Sequence, residues 1–401
     1  MEKEKQTYFP SLTNIKKAAD TIKKVSAVTS LTPSFRYSEH FKANILFKRE
    51  DLQQVRSYKI RGAYNKISSL SPAQSKNGVV CASAGNPAPT PNQKLEQVKM
   101  FGGDYIDIKL EGDTFDDAYY AAIEECEQLN KTFIHPFNDE KVIEGQATVG
   151  LEIIEQTDVP IDYVFLAVGG GGLASGLSTV FKQLSPNTKI IGVEPEGAPS
   201  MSVSIKNNKN TTLEHIEKFI DGAAVKRVGD LNFAICKENL HDMITVPEGK
   251  VCETILELYN KDAIVVEPAG ALSISALDFY TEDIKGKNVV CIVSGSNNDI
   301  TRTAEIKERA LLYANLKHYF ILKFPQRAGA LKDFVVDILG ENDDITYFQY
   351  AKKTNRENGS AVVGIQLKSA NDLGPLIERM KAHKFYGDYL NDKPDLFQFL
   401  V

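Results

Sequence analysis

The sequence predicts an α/β protein built on a parallel sheet, followed by a smaller, separate α+β domain. Between residues 163 and 293, short apolar runs alternate with helical periodicities, as in parallel sheets whose two faces are covered by helices. After residue 313 the order becomes strand, helix, two strands, helix and strand, which is typical of a ferredoxin-like sandwich. A chain of 401 residues has room for two or three domains, and we place this boundary between residues 314 and 315.

Composition narrows the possible functions. A formal net charge of −6 argues against a nucleic-acid-binding protein. The charged N-terminus does not resemble a signal peptide, and no apolar run approaches the length of a membrane span, so we expect a cytoplasmic protein that binds no membrane. The five cysteines are scattered without a C-x-x-C pair, which favours buried free thiols over disulfides or a metal site.

Helical spacing and strand-like runs predict the first elements in order. Thr13 can cap a helix whose buried face extends from Ile15 to Val25, and a strand follows at residues 45–48. The next helix begins at Ser57-Tyr58-Lys59, and its apolar residues recur at i, i+3, i+4 and i+7. We therefore expect one buried face made of Ile60, Ala63, Tyr64, Ile67 and Leu70.

Lys59 is the candidate catalytic residue. With Ser57 as the N-cap, Lys59 lies in the first helical turn, where the positive end of the helix dipole disfavours an ammonium charge and lowers the pKa. A neutral lysine amine attacks carbonyl groups, and such a lysine can form the Schiff base that holds pyridoxal phosphate (PLP). The alternative is an ordinary exposed lysine, because a motif this short recurs by chance.

The following region combines turns with strands and helices. We expect a buried strand at residues 78–82, a proline-rich turn at 83–91, a helix closed by Gly102-Gly103, and an alternating strand over residues 106–110. Thr114 and Asp117 form a capping box for a helix that ends at Leu129.

Four consecutive glycines, at residues 169–172, lie between a buried strand and a helix. They bare backbone N–H groups at a helix start and let a phosphate approach closely. The stretch also satisfies G-x-G-x-x-A through Gly169, Gly171 and Ala174, and Glu194 ends the next strand, so a dinucleotide site is one alternative. A purely structural glycine run is the other.

Other polar residues follow predicted strands, where open α/β sheets bind ligands. Ser294 can hydrogen-bond a pyridine nitrogen without charging it, although turn serines are common. Ser83, Ala84 and Gly85 can hold a substrate carboxylate, and the Asn86 amide can reach a phenolic oxygen. Glu267 is either a site residue or a helix-capping carboxylate. The remaining predicted strands are residues 163–168, 190–193, 243–246, 263–266, 288–293, 318–324, 345–352, 361–367 and 395–400, and the remaining predicted helices include 299–313, 329–339 and 373–383.

These sites, in this order, resemble the fold-type II PLP enzymes, and over nearly the whole chain they resemble the biosynthetic threonine dehydratases. The motifs that carry the resemblance are Lys48-Arg49-Glu50-Asp51-Leu52-Gln53, Ser57-Tyr58-Lys59-Ile60-Arg61-Gly62-Ala63-Tyr64, Ala82-Ser83-Ala84-Gly85-Asn86, residues 169–173, Gly192-Val193-Glu194-Pro195, Val266-Glu267-Pro268-Ala269-Gly270-Ala271 and Ser294-Gly295.

The resemblance implies two parallel-sheet α/β domains and a C-terminal ACT-like (ferredoxin-like) regulatory domain. It implies that Lys59 forms the Schiff base and that Asn86 and Ser294 contact the ring oxygen and ring nitrogen of the cofactor. The residues expected around the phosphate are Gly169, Gly170, Gly171, Gly172 and Leu173.

The chain departs from the family in two places. Tyr58 stands where the family usually has a phenylalanine, and Asn86 continues directly into Pro87-Ala88-Pro89 where family members have a further helix and strand. One helix and one strand with their turns take roughly twenty residues. We therefore expect the cofactor-flanking subdomain, at about residues 44–142, to lack one strand–helix unit, and we expect lower turnover than with the unit restored.

The resemblance implies PLP-dependent deamination of L-threonine to 2-oxobutanoate and ammonia, the first step of isoleucine biosynthesis. Isoleucine, or valine, is the expected effector of the C-terminal domain, and a homodimer or homotetramer is the expected assembly. The alternatives are a serine-preferring or other β-eliminating PLP enzyme, an impaired chain that binds amino acids, and a nicotinamide oxidoreductase that uses the Gly169 motif.

Overall fold

The computed structural model describes residues 8–82, 92–111, 115–350 and 358–400, which form two compact units, Met1–Arg302 and Thr303–Val401. The division lies at 302/303 rather than 314/315, because the helix after Arg302 belongs to the second unit. Its Glu308 carboxylate accepts a hydrogen bond of 2.6 Å from the Tyr319 hydroxyl and pairs with the Lys317 ammonium group.

The elements are numbered in chain order. The strands are β1 (Leu31–Pro33), β2 (Asn44–Arg49), β3 (Val79–Val80), β4 (Thr132–Phe133), β5 (Tyr163–Ala167), β6 (Lys189–Pro195), β7 (Asp242–Val246), β8 (Asn288–Val293), β9 (Lys317–Pro325), β10 (Asp344–Tyr350), β11 (Asn358–Gln366) and β12 (Tyr386–Tyr389). The helices are α1 (Leu12–Ile22), α2 (Phe35–Phe41), α3 (Lys59–Ser68), α4 (Pro72–Asn77), α5 (Asn92–Gly102), α6 (Phe115–Leu129), α7 (Glu140–Gln156), α8 (Gly172–Leu184), α9 (Ser200–Lys206), α10 (Asp230–Asn239), α11 (Glu248–Asp262), α12 (Pro268–Ser275), α13 (Thr303–Tyr313), α14 (Ala330–Asp333), α15 (Leu373–Ala382) and α16 (Pro394–Leu400).

The main sheet of the first unit has the strand order β1-β2-β8-β5-β6-β7. Strands β2, β8, β5, β6 and β7 run parallel, and β1 pairs antiparallel with β2 at the edge. The central strands are rich in Val, Ile, Leu and Phe because helices cover both faces, and Val164, Leu166 and Leu177 are fully buried. The predicted α/β class is confirmed.

Helix α3 buries a different face from the predicted one. Arg61, Gly62 and Asn65 are buried, whereas Ile67 is 42% exposed. The cause is close packing on α7: a Cβ at Gly62 would lie 2.8 Å from the Val142 carbonyl oxygen, so the glycine side of α3 meets the partner helix. The expected burial of the apolar stripe on α3 is therefore wrong.

In the region from 78 to 133, the structure shows only part of the predicted sheet. β3 and β4 have two residues each and pair in parallel. Residues 106–110, expected as a strand, have no strand assignment. This region exposes large apolar side chains: Val98, Met100, Phe101, Tyr105, Leu110, Tyr120 and Leu129.

Several other local predictions are corrected. Ser11, not Thr13, caps α1, and its hydroxyl accepts from the Asn14 N–H at 3.2 Å. Residues 263–266 form no strand, because Ala263 ends α11 with a left-handed φ of 55° and the chain enters α12 soon after. All five cysteines are free thiols; four are buried and Cys81 is exposed.

The second unit has a four-stranded antiparallel sheet of order β10-β11-β9-β12, which is the ferredoxin-like arrangement predicted from the element order. Its core includes Phe320, Phe324, Phe334 and Met380. β12, at residues 386–389, is the last strand of this sheet, whereas residues 394–400, predicted as that strand, form α16. In the described parts of both units, no helix is long and apolar enough to cross a membrane.

Candidate active site

Lys59 begins α3, next to the segment that follows β8. Ser57 forms an isolated antiparallel bridge with Gly295, and the Tyr58 N–H donates to the Ser294 carbonyl oxygen at 3.3 Å. The Ser296 N–H donates to the Arg56 carbonyl oxygen at 3.0 Å. The structure therefore places the segment just before Lys59 against the segment that begins at Ser294, although Lys59 and Ser294 are 235 positions apart in the sequence.

The cap of this helix differs from the prediction. The N-cap position is Tyr58, whose φ of −57° and ψ of −21° are already helical. Ser57 lies one residue earlier, is buried, and its hydroxyl accepts from the Lys59 N–H at 3.4 Å. Lys59 nevertheless stays in the first turn, as the sequence predicts.

The charge of Lys59 is not the expected one. Desolvation lowers the pKa of Lys59, but Tyr58, Glu267 and Asp221 raise it more, so the net pKa lies above its ordinary value. The direction is therefore opposite to the expected one, because the Tyr58 hydroxyl and the two carboxylates outweigh desolvation. The ammonium group lies 5.1 Å from the centroid of the Tyr58 ring.

The glycine loop, residues 169–172, connects β5 to α8 and is tightly enclosed. A Cβ at Gly170 would lie 2.3 Å from the Phe137 ring, and Gly171 has a left-handed φ of 90° that most other residues avoid. The Asn232 amide donates to the Gly170 carbonyl oxygen at 2.7 Å. Leu173 is buried in the first turn of α8, whose first N–H groups have no partner within the helix.

This loop fits an anion. The packing accounts for the glycines at 170 and 171, and a rigid loop at the N-terminus of a 13-residue helix also presents N–H groups to a phosphate. β5 is a neighbour of β8 in the sheet, so the loop and Ser294 follow adjacent parallel strands. The glycine loop and Ser294 therefore lie at the same edge of the sheet, where they could contact the phosphate and the ring of PLP.

Glu267 lies beside Gly295, which belongs to the segment that follows β8. It occupies the N-cap position of α12, but its side chain makes no capping hydrogen bond, so the helix-capping alternative is wrong. The residue is 4% exposed, and its N–H donates to the Gly295 carbonyl oxygen at 3.1 Å. A Cβ at Gly295 would lie 2.7 Å from Glu267 Oε1 and 3.0 Å from the Arg56 carbonyl oxygen, so a side chain at this position would displace the carboxylate.

Glu194 does not serve a dinucleotide. Its buried carboxylate accepts from the Met201 N–H at 2.6 Å, from the Ser202 N–H at 2.9 Å and from the Ser202 hydroxyl at 2.7 Å. These bonds cap α9 and leave the carboxylate unsuited to a ribose. The predicted Ser83, Ala84, Gly85 and Asn86 contacts lie outside the described residues.

Comparison with known proteins decides the assignment. The family model for pyridoxal-phosphate-dependent enzymes matches residues 22–89 and 87–295, and the model for the C-terminal regulatory domain of threonine dehydratase matches residues 308–400. The biosynthetic L-threonine dehydratase IlvA of Bacillus subtilis (strain 168) is 51% identical over 99% of each chain. The chain belongs to the threonine dehydratase family.

Other relatives agree. The biosynthetic L-threonine dehydratase IlvA of Halalkalibacterium halodurans is 50% identical over 96% of this chain and 97% of its own. The processed form of threonine deaminase isoform 2 from Solanum lycopersicum superposes with a TM-score of 0.70, at 36% identity, over 77% of this chain and 91% of its own. Maize serine racemase gives a TM-score of 0.69 at 27% identity, over 76% and 99% of the two chains. Proteins that share this fold therefore include a threonine deaminase and a serine racemase.

The family match also bears on the departure after Asn86. It falls into two segments that meet at residues 87–89. The alignment with the Bacillus subtilis dehydratase has 417 positions, whereas 99% of this 401-residue chain is about 397 residues, which leaves about 20 positions without a residue of this chain.

A buried ion network surrounds Arg61, two residues after Lys59, and the sequence alone did not predict it. Arg61 is fully buried and pairs with Glu50 at 2.8 Å and with Glu152 at 2.6 Å. Lys48 is also fully buried and donates to Glu152 at 2.6 Å. The sequence motifs contain Lys48, Glu50 and Arg61, but they do not indicate that residues from β2, α3 and α7 meet. The only local indication is that charged residues occur in and directly after the buried strand β2.

Proposed function

We infer that this chain catalyses the PLP-dependent conversion of L-threonine to 2-oxobutanoate and ammonia. The observation that carries the inference is the bridge between Ser57 and Gly295, which places the start of the Lys59 helix beside the segment from Ser294, at the sheet edge that also holds the glycine loop. The chain is 51% identical to a biosynthetic threonine dehydratase. A nicotinamide oxidoreductase or an impaired chain would have no catalytic role for Lys59. A serine-preferring or other β-eliminating PLP enzyme would use Lys59 on a different substrate.

Different residues would hold different parts of the cofactor. Lys59 would attach the cofactor covalently, the glycine loop and Leu173 would surround its phosphate, Ser294 would bond its ring nitrogen, and Asn86 would contact its ring oxygen. When bound, PLP supplies an electron sink that makes the Cα–H bond of the amino acid acidic. Ser83, Ala84 and Gly85 hold the substrate carboxylate.

Lys59 moves the protons. With PLP bound, the neutral Lys59 amine would take the Cα proton of threonine, and the resulting ammonium group would give a proton to the departing β-hydroxyl, which leaves as water. Glu267 and Asp221 favour the charged lysine and so stabilise it between these two transfers. Ser294 is a neutral partner and leaves the ring nitrogen uncharged, which favours elimination over a long-lived carbanion.

Substrate preference is tested by turnover. Purified protein with saturating PLP is given L-threonine or L-serine, and formation of the 2-oxo acid is measured, with Lys59→Ala as the inactive control. We expect a higher kcat/KM for threonine. A higher value for serine would replace this proposal with a serine-preferring β-eliminating enzyme, and product formation by Lys59→Ala would remove Lys59 from the chemistry.

We further propose that the second unit binds isoleucine and inhibits the first. A regulatory-domain match over residues 308–400 and the ferredoxin-like sheet support this proposal. The expected effector contact is the turn from Pro325 to Leu331, where Gly329 has a left-handed φ of 86°. Calorimetric titration of isoleucine into the full chain and into a chain ending at Arg302 tests it: binding must be lost in the shorter chain. Equal binding to both chains, or to neither, refutes the assignment.

The proposed assembly is a homodimer or homotetramer. β10 is an edge strand with an open hydrogen-bonding side, and it exposes 39% of Phe348 and 38% of Tyr350. Light scattering measures the mass directly, and a monomer at micromolar concentration contradicts this proposal. Phe348→Lys is the matched surface variant and is expected to lower the mass.

We also propose that a strand–helix unit is missing after Asn86. The split family match, the roughly 20 unmatched positions and the exposed apolar side chains between residues 98 and 129 support it. In this view the expected strand at 106–110 lacks its pairing partner, and turnover is lower than in a chain with the unit present.

A further inference from the structure

A loop from Phe219 to Ala223, outside the motifs quoted above, borders the candidate active site. A Cβ at Gly169 would lie 3.3 Å from the Gly222 carbonyl oxygen and 3.0 Å from the Ala223 Cα. A Cβ at Gly222 would in turn lie 3.4 Å from Glu267 Oε1. The loop therefore touches both the glycine loop and the carboxylate that lies between Ser294 and Lys59. Its Asp221 is one of the acidic groups that favour the charged form of Lys59.

Arg302 holds this loop in place. Its Nη2 donates to the Phe219 carbonyl oxygen at 2.7 Å, its guanidinium lies 4.9 Å from the centroid of the Phe219 ring, and its Nη1 is 3.7 Å from Asp221 Oδ1. The Arg302 and Asp221 side chains are only 14% and 10% exposed. Desolvated contacts to a carbonyl, a ring and a carboxylate constrain the loop more strongly than a surface ion pair does.

Arg302 also has a particular place in the chain. It is the last residue of the first unit, and the second unit begins with α13 at Thr303. Any reorientation of the start of α13 acts on the Arg302 backbone through one peptide bond. The Arg302 side chain then links the end of the first unit to the Phe219–Ala223 loop through a hydrogen bond and an ion pair.

We propose that Arg302 is a positioning residue of the active site and the point at which the second unit acts on it. With Arg302 in place, the loop keeps Asp221 near Lys59 and supports the glycine loop and Glu267. With Arg302 displaced, all three supports loosen together. The regulatory half of this inference rests on the proposed binding of isoleucine, whereas the positioning half does not.

The test compares Arg302→Gln and Arg302→Lys with Arg227→Gln in the full chain. Arg227 is a matched control because it also donates to a backbone carbonyl, of Asn210 at 2.8 Å, and to a carboxylate, of Asp230 at 2.6 Å, but its side chain is 43% exposed. The readouts are the PLP dissociation constant, measured by absorbance titration of apoprotein, the KM and kcat for threonine, and the isoleucine concentration that halves turnover.

We expect Arg302→Gln to weaken PLP binding and raise the threonine KM, each by about tenfold, since hydrogen bonds to charged groups are worth about one such factor or more. Arg302→Lys should recover part of the loss, because an ammonium group can still pair with Asp221 but cannot reproduce the fork geometry. The pH dependence of kcat should shift in Arg302→Gln as Asp221 leaves Lys59, which a purely structural role would not produce. Arg227→Gln should match the wild type.

For regulation, Arg302→Gln should bind isoleucine with unchanged affinity in calorimetry while its turnover responds to isoleucine at least threefold less. Wild-type PLP affinity, threonine KM and pH profile in Arg302→Gln, or equal changes in Arg227→Gln, would overturn the positioning role. A full isoleucine response in Arg302→Gln would overturn the regulatory role. If the wild type binds no isoleucine, the proposed effector fails, and the PLP and threonine readouts still decide the positioning role.

Discussion

Replacing Arg61 by methionine should destabilise the first unit by several kcal/mol. The Arg61 guanidinium is fully buried and donates to Glu50 through two bonds of 2.8 Å and to Glu152 through bonds of 2.6 and 2.9 Å. Methionine removes these donors and leaves Glu50, itself fully buried, with the Thr29 hydroxyl at 2.5 Å and a long 3.3 Å bond from Gln53.

The magnitude follows from the unpaired carboxylates. Breaking a buried pair by removing one partner costs about 3–5 kcal/mol. Glu152 keeps its 2.6 Å bond from Lys48, so the main loss falls on Glu50 and we expect about 4 kcal/mol. Arg61→Lys should cost about half as much, because a single ammonium group cannot satisfy both carboxylates in their present positions.

Urea unfolding, followed by the absorbance of bound PLP and by circular dichroism, measures the change. The double variant Arg61→Met with Glu50→Gln should recover about 1–2 kcal/mol, since it removes the buried charge as well as its partner. Arg36→Gln is the control: Arg36 pairs with Asp262 at 2.6 Å but is 28% exposed, so its loss should cost about 1 kcal/mol or less. A loss below 1 kcal/mol in Arg61→Met would refute the reasoning.

The remaining predictions follow. Inserting the roughly 20 unmatched residues of the Bacillus subtilis dehydratase between Asn86 and Pro87 should raise threonine turnover about tenfold or more, because each side chain that the insert buries stabilises the active fold by on the order of a kcal/mol and so raises the active fraction. A Gly/Ser insert of equal length is the control, and unchanged turnover would show that the departure after Asn86 is harmless. Burial raises the pKa of Glu194 from 4.5 to about 7, so the folded state holds a proton that the unfolded state has lost between these values, and stability should fall by up to about 3 kcal/mol as the pH rises through that window. Glu194→Gln should abolish this dependence, and an unchanged slope of unfolding free energy against pH would contradict it. Tyr58→Phe should keep turnover within about threefold of the wild type, as for a hydroxyl that the site merely tolerates; a larger loss would give the hydroxyl a catalytic role. In calorimetry, threonine and isoleucine should weaken each other's binding by the same factor, and unequal factors would contradict a linkage between two sites.

Much of the active site could be predicted because it depends on local patterns. Lys59, the glycine loop and Ser294 each follow a parallel strand, and the rule that such strand ends converge needs no knowledge of the packing. The glycine loop also has a packing explanation, since Phe137 leaves no space for a Cβ at Gly170 and Gly171 has a left-handed φ, and this explanation is compatible with the predicted anion site.

The wrong predictions depend on contacts between residues that are distant in the sequence. The sequence predicts the Lys59 pKa from its own helix, but besides the adjacent Tyr58 the groups that raise it are Glu267 and Asp221, which no local pattern places beside it. The buried face of α3 was expected from apolar spacing, whereas glycine contacts with α7 determine which side is covered. At residues 395–400 a short apolar run is equally compatible with a strand and a helix, and β12 had already completed the sheet.

The most direct test is to find where PLP is attached. The purified protein is saturated with PLP, reduced with borohydride, digested and mapped by mass spectrometry, with Lys59→Ala treated in parallel. The account predicts a single pyridoxyl group on Lys59, an absorbance band in the visible range before reduction, and neither in Lys59→Ala. A pyridoxyl group on another lysine, or on none, would contradict the assignment of this site.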